Sequence, residues 1–267
     1  MTTKIKHMAI ISDTATHLGT FYERLFKMTG VTPTGRAVTV SDGYVGLNIN
    51  PQSNGRKAGL NHWGFEVDDA EEISARLRER YPQVEVVRRP SNRPFAGLST
   101  HDPEGNIFDL SQKGMENRRS IYAVEEERHN PRHISHFMVP AMDAAALATF
   151  YKEIYDLKEL PKRSADDPHF YLSDGVVTLM IGQWRMSDYG VGNLDGKPSI
   201  DHIGFRVESM DAFLSDLDRL VESDPSMAPQ VFRGEDQETR RQYLARCALG
   251  KLQLADPEHV LLDITDS

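Results

Sequence analysis

The sequence repeats one short pattern four times, and this repetition limits the possible folds more than any other feature. Each copy places a histidine near the start of a segment in which apolar residues alternate with others, the period of a half-buried β-strand. The copies read K-I-K-H-M-A-I at 4–10, G-L-N-H-W-G-F-E-V at 59–67, R-H-I-S-H-F-M-V at 132–139 and S-I-D-H-I-G-F-R-V at 199–207. Their shared histidines are His7, His62, His136 and His202. Internal repetition of this kind predicts a chain built from four similar modules.

Two further phrases recur and divide the four copies into two related halves. An F-Y phrase begins at Phe21, which is 14 residues after His7, and again at Phe150, which is 14 residues after His136. A D-P-E phrase follows the second and fourth copies, as D-P-E-G-N-I-F-D-L at 102–110 and D-P-E-H-V-L-L-D-I at 256–264. The chain therefore divides into two modules followed by two related modules.

Within each module the apolar pattern changes from the period of a strand to that of a helix and back. In the first module, a strand at 4–11 precedes a helix whose inward residues include Leu18, Phe21 and Tyr22. Short strands follow, two of them joined by the turn Asp42-Gly43. We predict an α+β fold of four βαβββ modules paired into two domains. Each domain is expected to be a curved mixed sheet that encloses a metal cup, with helices outside.

The element boundaries follow from the same patterns. The N-terminal domain is predicted at 1–115 and the C-terminal domain at 132–267, with a charged linker of little periodicity at 116–131. The first helix is predicted to begin at Asp13 or Thr14 and to end near Thr29, where Gly30 would stop it. A long segment at 223–246 precedes the last strands, and such segments are commonly functional or mobile. The four modules are predicted at 1–52, 58–115, 132–186 and 198–267.

Composition excludes several classes of protein. The 267 residues suffice for two domains with cores of their own, and the mean hydropathy of −0.50 is typical of a soluble globular chain. We expect no membrane association, since no apolar run approaches about 20 residues, and no signal peptide is evident. The single cysteine, Cys247, fits a reducing cytoplasm. A net charge of −9 with scattered basic residues argues against nucleic acid as a partner.

Each half of the chain offers two histidines and one carboxylate that the predicted fold would bring together. Two modules related by a pseudo-twofold axis place their first-strand histidines at a shared cup, and the last strand adds an aspartate. Two imidazoles and a carboxylate suit Fe(II), Mn(II) or Zn(II). Within the fourth copy, Asp201 stands where the alternation predicts an apolar residue. The two sets are His136, His202 and Asp263, and, as a possible second metal site, His7, His62 and Asp109.

The D-P-x-G-N-x-x-D/E-L phrase, the H-x-G-F-x-V strand and the F-Y helix resemble the marks of the vicinal oxygen chelate superfamily, and the resemblance covers nearly the whole chain. This superfamily includes glyoxalases, bleomycin- and fosfomycin-resistance proteins and type I extradiol dioxygenases. A four-module chain most resembles the two-domain extradiol dioxygenases, whose iron lies in the C-terminal half. The resemblance implies His136, His202 and Asp263 as ligands. It places Met180, a poor ligand for a hard ion, where glyoxalase-like members carry a fourth ligand, and Asn48 at the same place in the first half.

The chain departs from the extradiol pattern in several respects. Both carboxylates are Asp where the family usually has Glu, so the reach is shorter by about 1.5 Å. The extradiol enzymes carry a hydrogen-bonding tyrosine about ten residues before the carboxylate. The corresponding position here is Gln253, and Tyr243 is a candidate to replace that tyrosine. His169 and His259 are candidates for the acid–base histidine on position alone. The N-terminal half also keeps a full ligand set, which extradiol enzymes have usually lost.

These features predict an Fe(II)-dependent, extradiol-type dioxygenase that cleaves a catechol-like aromatic compound with O₂. Substrate-binding candidates are Trp184, Tyr189, Met180 and Gln253. A homo-oligomer is expected from the family. The first alternative is a non-oxidative isomerase, epimerase or lyase that acts through an enolate and accepts Mn(II), Zn(II), Co(II) or Ni(II). The second alternative is a small-molecule binding or resistance protein without turnover, although six retained ligand candidates count against it.

Overall fold

A computed structural model describes residues 2–34, 37–53, 55–90, 95–114, 130–188, 200–230 and 237–266. The first half contains strands β1 (Thr3–Ser12), β2 (Thr29–Thr34), β3 (Ala37–Ser41), β4 (Gly46–Pro51), β5 (Gly59–Val67), β6 (Val86–Arg88), β7 (Leu98–His101) and β8 (Ile107–Gln112), with helices α1 (Ala15–Phe26) and α2 (Ala70–Arg80). The second half contains β9 (His133–Ala141), β10 (Lys158–Glu159), β11 (Phe170–Ser173), β12 (Thr178–Gln183), β13 (His202–Arg206), β14 (Leu252–Ala255) and β15 (Leu261–Thr265), with α3 (Ala144–Tyr155), α4 (Met210–Ser223) and α5 (Gln237–Cys247).

The strands form two mixed sheets, one in each half of the chain. The first has the order β2-β3-β4-β1-β5-β8-β7-β6, and the second has the order β10-β11-β12-β9-β13-β15-β14. In each sheet the first strands of two modules pair antiparallel, β1 with β5 and β9 with β13. In the second module of each pair, the last strand pairs parallel with the first strand of the same module, as β8 does with β5 and β15 with β13. The predicted α+β class and the pairing of modules are confirmed. The linker predicted at 116–131 falls outside the described residues except for its last two positions.

The fourth module departs from the predicted βαβββ order in the described part of the chain. Where the second module has β6, only an isolated bridge joins Gln230 to Ala255. The segment predicted at 223–246 instead contributes helix α5, which packs on the cup side of the second sheet through Tyr243, Leu244 and Cys247. The expectation that the helices lie outside the cups therefore fails for α5.

Helix α1 ends earlier than its sequence pattern suggests. Its inward residues are buried as the spacing predicts. The helix nevertheless stops at Phe26, because Lys27 adopts a left-handed conformation with φ of 56° and β2 begins at Thr29. The predicted end at Thr29 is thus three residues too late. Asp156 has a φ of 54° at the corresponding end of α3, so the duplicated helices share one way of ending.

Helices α1 to α4 pack between the sheets and share one hydrophobic core. The ring of Phe26 on α1 lies 3.9 Å from that of Phe205 in the second sheet. In reverse, Tyr155 on α3 lies 4.8 Å from Phe65 in the first sheet. Since side chains alternate along a strand, Phe65 and Phe205 face this core while the histidines of β5 and β13 face the opposite side. In the described residues, no helix is long and apolar enough to cross a membrane.

The repeated F-Y and D-P-E phrases meet each other across the junction of the two halves. The Tyr22 hydroxyl donates to Asp256 over 2.8 Å, and the Tyr151 hydroxyl donates to Asp102 over 2.7 Å. All four residues are buried. The glutamates of the same phrases also cross the junction. Glu104 accepts from Met142 N and Asp143 N, and Glu258 accepts from Asp13 N and Thr14 N. These phrases therefore hold the two halves together.

Candidate metal centres

The N-terminal centre lies on three neighbouring strands, β1, β5 and β8. The register places Gly64 opposite both His7 and Asp109, and His62 precedes this glycine by two residues on the same face. The His7 and His62 Nε2 atoms are 3.3 Å apart, and the His62 Nε2 atom is 3.1 Å from Asp109 Oδ2. We call His7, His62 and Asp109 the N-terminal trio.

Polar neighbours orient two members of the N-terminal trio, His62 and Asp109. Asn61 Oδ1 lies 2.8 Å from His62 Nδ1, and the Ser99 hydroxyl donates to the free oxygen of Asp109. Burial, with a smaller effect of His62, lowers the pKa of His7 to about 3. Burial alone would raise the pKa of Asp109. The hydrogen bond to His62 and the charges of both histidines outweigh burial and lower that pKa to about 2.

The C-terminal centre repeats this arrangement on β9, β13 and β15. Gly204 lies opposite both His136 and Asp263, and His202 precedes it by two residues. The His136 Nε2 atom is 3.1 Å from Asp263 Oδ2, and the His136 and His202 rings lie edge to face at 5.7 Å. A Cβ atom at position 204 would lie 1.8 Å from the His136 ring. The glycine of the repeated H-x-G-F phrase thus leaves space for the neighbouring imidazole. His136, His202 and Asp263 are the C-terminal trio.

Asp263 is held by donors on both of its oxygen atoms. Its Oδ2 accepts from Leu249 N at 2.7 Å and Gly250 N at 2.8 Å, and its Oδ1 accepts from Gln253 Nε2 at 2.8 Å. Burial would raise the pKa of Asp263. The bond and charge of His136, together with the bond from Gln253, keep it well below its usual range. The carboxylate is therefore ionised and fixed in direction.

His202 carries a fully buried nitrogen that has no hydrogen-bond partner among the described residues. That atom is Nε2, on a residue with no exposed surface. Its Nδ1 lies 2.8 Å from Asp201 Oδ2, and Arg240 Nη1 donates to Asp201 Oδ1 over 2.9 Å. Ionised Asp201 accepts the Nδ1 hydrogen, so Nε2 presents a lone pair toward the trio. A buried lone pair of this kind fits a metal ligand.

Both trios meet the basic requirements of a divalent-metal site. In each, the three candidate donor atoms lie within 4.8 Å of one another. Two imidazole nitrogens and one carboxylate oxygen suit first-row ions such as Fe(II), Mn(II) and Zn(II). The orphaned Nε2 atom of His202 supports this fit in the second half.

The two cups differ in what covers them. In the second half, Tyr243 and Cys247 of α5 pack against side chains of the cup wall. The described N-terminal half has no counterpart of α5. The wall residues that match Tyr171 and Met180 in register are the polar Thr39 and Asn48, and the residue that matches Met138 is Ala9. The His62 side chain accordingly keeps 16% of its surface exposed, against 1% for His202. The wall residues that α5 covers are Met138, Tyr171 and Met180.

The structure brings His169 and Tyr243 into the C-terminal cup. His169 precedes β11 on the face of Tyr171, and its Nδ1 accepts a hydrogen bond from Gln183 N at 3.0 Å. Its Nε2 therefore carries the hydrogen of the neutral ring. Burial lowers the pKa of His169 to about 4, so the ring is neutral at pH 7. The Tyr243 hydroxyl lies 3.6 Å from Met138 Sδ.

The other predicted site residues are distributed differently. Gln253 donates a hydrogen bond to Asp263 and so orients this candidate metal ligand. Met180 lies in the cup wall. Trp184 is half-buried just after β12, and its indole nitrogen has no partner among the described residues. His259 lies in the exposed turn of the D-P-E phrase, with φ of 68°, and contacts neither trio. Tyr189 lies outside the described residues.

Residues 4–110 match the Glyoxalase/Bleomycin resistance protein/Dioxygenase superfamily. This N-terminal part of the chain is therefore similar to that superfamily. Members of the superfamily are mostly enzymes, dioxygenases among them, and the similarity together with the two trios supports binding of a divalent metal. The predicted resemblance to the vicinal oxygen chelate superfamily is confirmed. No curated protein sequence matches the chain significantly.

Several solved structures have the same fold over 99–100% of this chain. The Mn(II)-bound glyoxalase from Novosphingobium aromaticivorans has a TM-score of 0.65 and 12% identity, over 99% of this chain and 82% of that one. The 2,3-dioxygenase LapB from Pseudomonas sp. KL28 has a TM-score of 0.65 and 15% identity, over 99% and 92%. The 2,2',3-trihydroxybiphenyl 1,2-dioxygenase from Sphingomonas wittichii strain RW1 has a TM-score of 0.61 and 13% identity, over 100% and 91%. At these identities the likeness concerns the fold.

Sequence reasoning missed several residues that hold the side chains of the two candidate metal centres. Arg240 and Ser99 are examples, because each contacts its partner only through tertiary structure. One signal was present in the pattern: Asp201 interrupts the apolar alternation, and the structure shows this carboxylate bound to His202 and Arg240.

Proposed function

We propose that the protein is a metal-dependent enzyme whose C-terminal trio binds a small molecule through two neighbouring oxygen atoms. Its favoured reaction is extradiol-type cleavage of a catechol-like ring, in which both atoms of O₂ enter the ring-opened product. The observation that carries the proposal is the buried Nε2 atom of His202, which has no partner in the described part of the chain. Leaving such an atom unpaired is costly unless it binds something.

His136, His202 and Asp263 would hold the ion. A divalent ion there would supply Lewis acidity toward a substrate hydroxyl, and Fe(II) would in addition supply electrons for O₂. The chain's own residues prepare these ligands. Asp201 keeps the His202 hydrogen on Nδ1, and the Leu249 and Gly250 amides hold the carboxylate of Asp263 in place.

His169 is the group in this cup best suited to move a proton. Met138 pairs with His202 across β9 and β13, and a Cβ at position 182 would lie near both the Met138 methyl group and His169 Nδ1. His169 is therefore on the same wall as the trio, one side chain away from His202. The neutral ring of His169 can donate a proton from Nε2. It can take up a proton at Nδ1 only after losing the hydrogen bond from Gln183 N, so His169 is better suited to donate a proton than to accept one.

The cup also favours an apolar, aromatic guest. Its wall and its cover are formed by two methionines and two tyrosines. Such side chains exclude water and offer flat surfaces to an aromatic ring. The Tyr243 hydroxyl, on the covering helix, donates to the weak acceptor Met138 Sδ over 3.6 Å and can bind a substrate oxygen instead.

The test measures O₂ uptake by anaerobically purified, Fe(II)-loaded protein with a panel of catechols. Products are identified by mass spectrometry as the substrate plus two oxygen atoms. Asp263→Asn should abolish uptake, whereas Asp109→Asn, its counterpart in the other half, should retain it. His169→Gln should lower kcat by roughly 10²-fold or more with little change in KM. Absence of catechol-dependent uptake by the iron-loaded wild type would rule out the dioxygenase assignment.

A second candidate is a non-oxidative metal-dependent isomerase, epimerase or lyase. The observation that favours it is Gln253, which takes the position of the extradiol tyrosine and whose amide donates a hydrogen bond to Asp263. The chain is also as similar in fold to the Mn(II)-bound glyoxalase as to the dioxygenase LapB. Anaerobic turnover of an enediol-forming substrate by Mn(II)- or Zn(II)-loaded protein, lost in Asp263→Asn, would favour this class.

A further inference from the structure

We infer that the N-terminal trio is a second divalent-metal site, more open than the first and able to exchange its ion independently. Metal binding here does not depend on the proposed reaction at the C-terminal trio. The inference rests on three observations: the hydrogen-bonding capacity of His62, the spacing of the donor atoms, and the lack of a covering helix in the described N-terminal half.

The first observation is that the Nε2 atom of His62 has two close polar neighbours. The Nδ1 hydrogen of His62 is donated to Asn61 Oδ1, so the Nε2 atom of the neutral ring presents only a lone pair. That lone pair lies 3.1 Å from the Asp109 carboxylate and 3.3 Å from the Nε2 atom of His7. A hydrogen placed on His62 Nε2 could be donated to only one of these two neighbours. A metal ion between them would bind all three atoms.

The second observation is that the donor atoms are spaced as cis ligands of one ion. Bonds of about 2.1 Å to nitrogen or oxygen, at angles of roughly 95–105°, separate neighbouring donors by roughly 3.1–3.3 Å. The two contacts of His62, at 3.1 and 3.3 Å, fall in that interval. In the C-terminal trio, the His136 Nε2 atom is likewise 3.1 Å from Asp263 Oδ2.

The surroundings of the N-terminal trio hold its members in this arrangement. Arg89 Nε donates to the Ser99 hydroxyl over 2.8 Å, and that hydroxyl donates to Asp109. The Phe95 ring stacks on His7 at 4.8 Å with an angle of 11° between the planes. Outer residues that orient imidazole and carboxylate ligands are typical of metal sites.

The third observation is the difference in cover. Helix α5 closes the C-terminal cup, whereas the His62 side chain reaches solvent. Asn61, moreover, is neutral, while the matching Asp201 is a carboxylate that makes its histidine a stronger ligand. Both differences predict that an ion at the N-terminal trio leaves sooner than one at the C-terminal trio.

The experiment uses the full-length protein, freed of metal, reloaded with Zn(II) and desalted. Elemental analysis should find two equivalents per chain, and a chromogenic chelator should remove them in a fast and a slow phase. His62→Gln or Asp109→Asn should each leave one equivalent and abolish the fast phase. Asp263→Asn should leave one equivalent and abolish the slow phase. His17→Ala, which changes a histidine of helix α1 outside both trios, should keep both phases.

Circular dichroism of every variant separates loss of an ion from loss of the fold. One equivalent in the wild type, unaffected by His62→Gln and Asp109→Asn, would overturn the inference, and so would two equivalents in folded His62→Gln and Asp109→Asn. The proposed function fails separately, since its readout is catechol-dependent O₂ uptake by the C-terminal trio. A protein that binds two ions but consumes no O₂ would support the second site and refute the dioxygenase.

Discussion

The hydroxyl of Tyr22 donates to Asp256 over 2.8 Å, and this buried bond joins the first module of the chain to the fourth. Its counterpart, from Tyr151 to Asp102 over 2.7 Å, joins the third module to the second. The two bonds are related by the duplication of the chain. Each half of the chain therefore supplies the acceptor for a tyrosine of the other half, so the two halves are expected to unfold together.

Replacing Tyr22 by Phe is expected to lower the free energy of unfolding by about 1–3 kcal/mol, because a buried carboxylate loses a donor. Tyr151→Phe should have a similar effect. Urea denaturation followed by circular dichroism measures both. Tyr81→Phe is the matched control, since its hydroxyl contacts Glu153 at the exposed surface, and it should cost about 0.5 kcal/mol or less. Equal effects of all three substitutions would show that the junction bonds contribute nothing special.

Exchanging the residues before the second histidines should alter the two metal affinities in opposite directions. Asp201→Asn is expected to weaken binding at the C-terminal trio by about 10–100-fold, because His202 loses its carboxylate partner. Asn61→Asp should strengthen binding at the N-terminal trio. Competition with a chelator of known affinity measures both sites. Arg240→Gln, which leaves Asp201 in place, should have a smaller effect than Asp201→Asn.

Gly204→Ala is expected to remove the ion of the C-terminal trio and to destabilise the second sheet. The added Cβ atom would overlap the His136 ring, which is enclosed on all sides. Metal content and the midpoint of thermal unfolding report the two effects. In Gly64→Ala the closest contact of the added Cβ atom is the edge of the Phe95 ring, at 2.6 Å. This substitution should therefore weaken metal binding at the N-terminal trio by displacing Phe95. A folded Gly204→Ala protein with both ions would contradict the close approach of β9 and β13.

Cys247 should report the opening of helix α5, because it is the only cysteine and is a buried residue at the end of that helix. It is 1% exposed, and burial, followed by the charge of Asp201, raises its pKa to about 12. A thiol reagent should therefore modify the native protein slowly. Tyr243→Ala, which removes the largest contact of α5 with the cup, should accelerate modification, whereas His17→Ala should not. Rapid modification of the wild type would show that α5 does not stay closed.

The sequence by itself determined the modular plan and the positions of the candidate ligands. Four histidines at equivalent places, two aspartates near the ends of the D-P-E phrases, and a strand period of two residues suffice to place both trios on one face of their sheets. Such local patterns are readable because successive side chains of a strand point to opposite faces of the sheet. The α+β class followed from the same alternation of periods.

Only the tertiary structure decided how the two trios differ. Arg240 reaches Asp201 from a helix 39 positions away, and Tyr22 meets Asp256 across 234 positions. Helix α5 has almost no amphipathic pattern of its own in Q-E-T-R-R-Q-Y-L-A-R-C, so its place over the cup depends on a few contacts such as Tyr243. Contacts between distant segments depend on how whole elements pack, and no local period records them. Packing, and not the repeated phrases, leaves one centre open and closes the other.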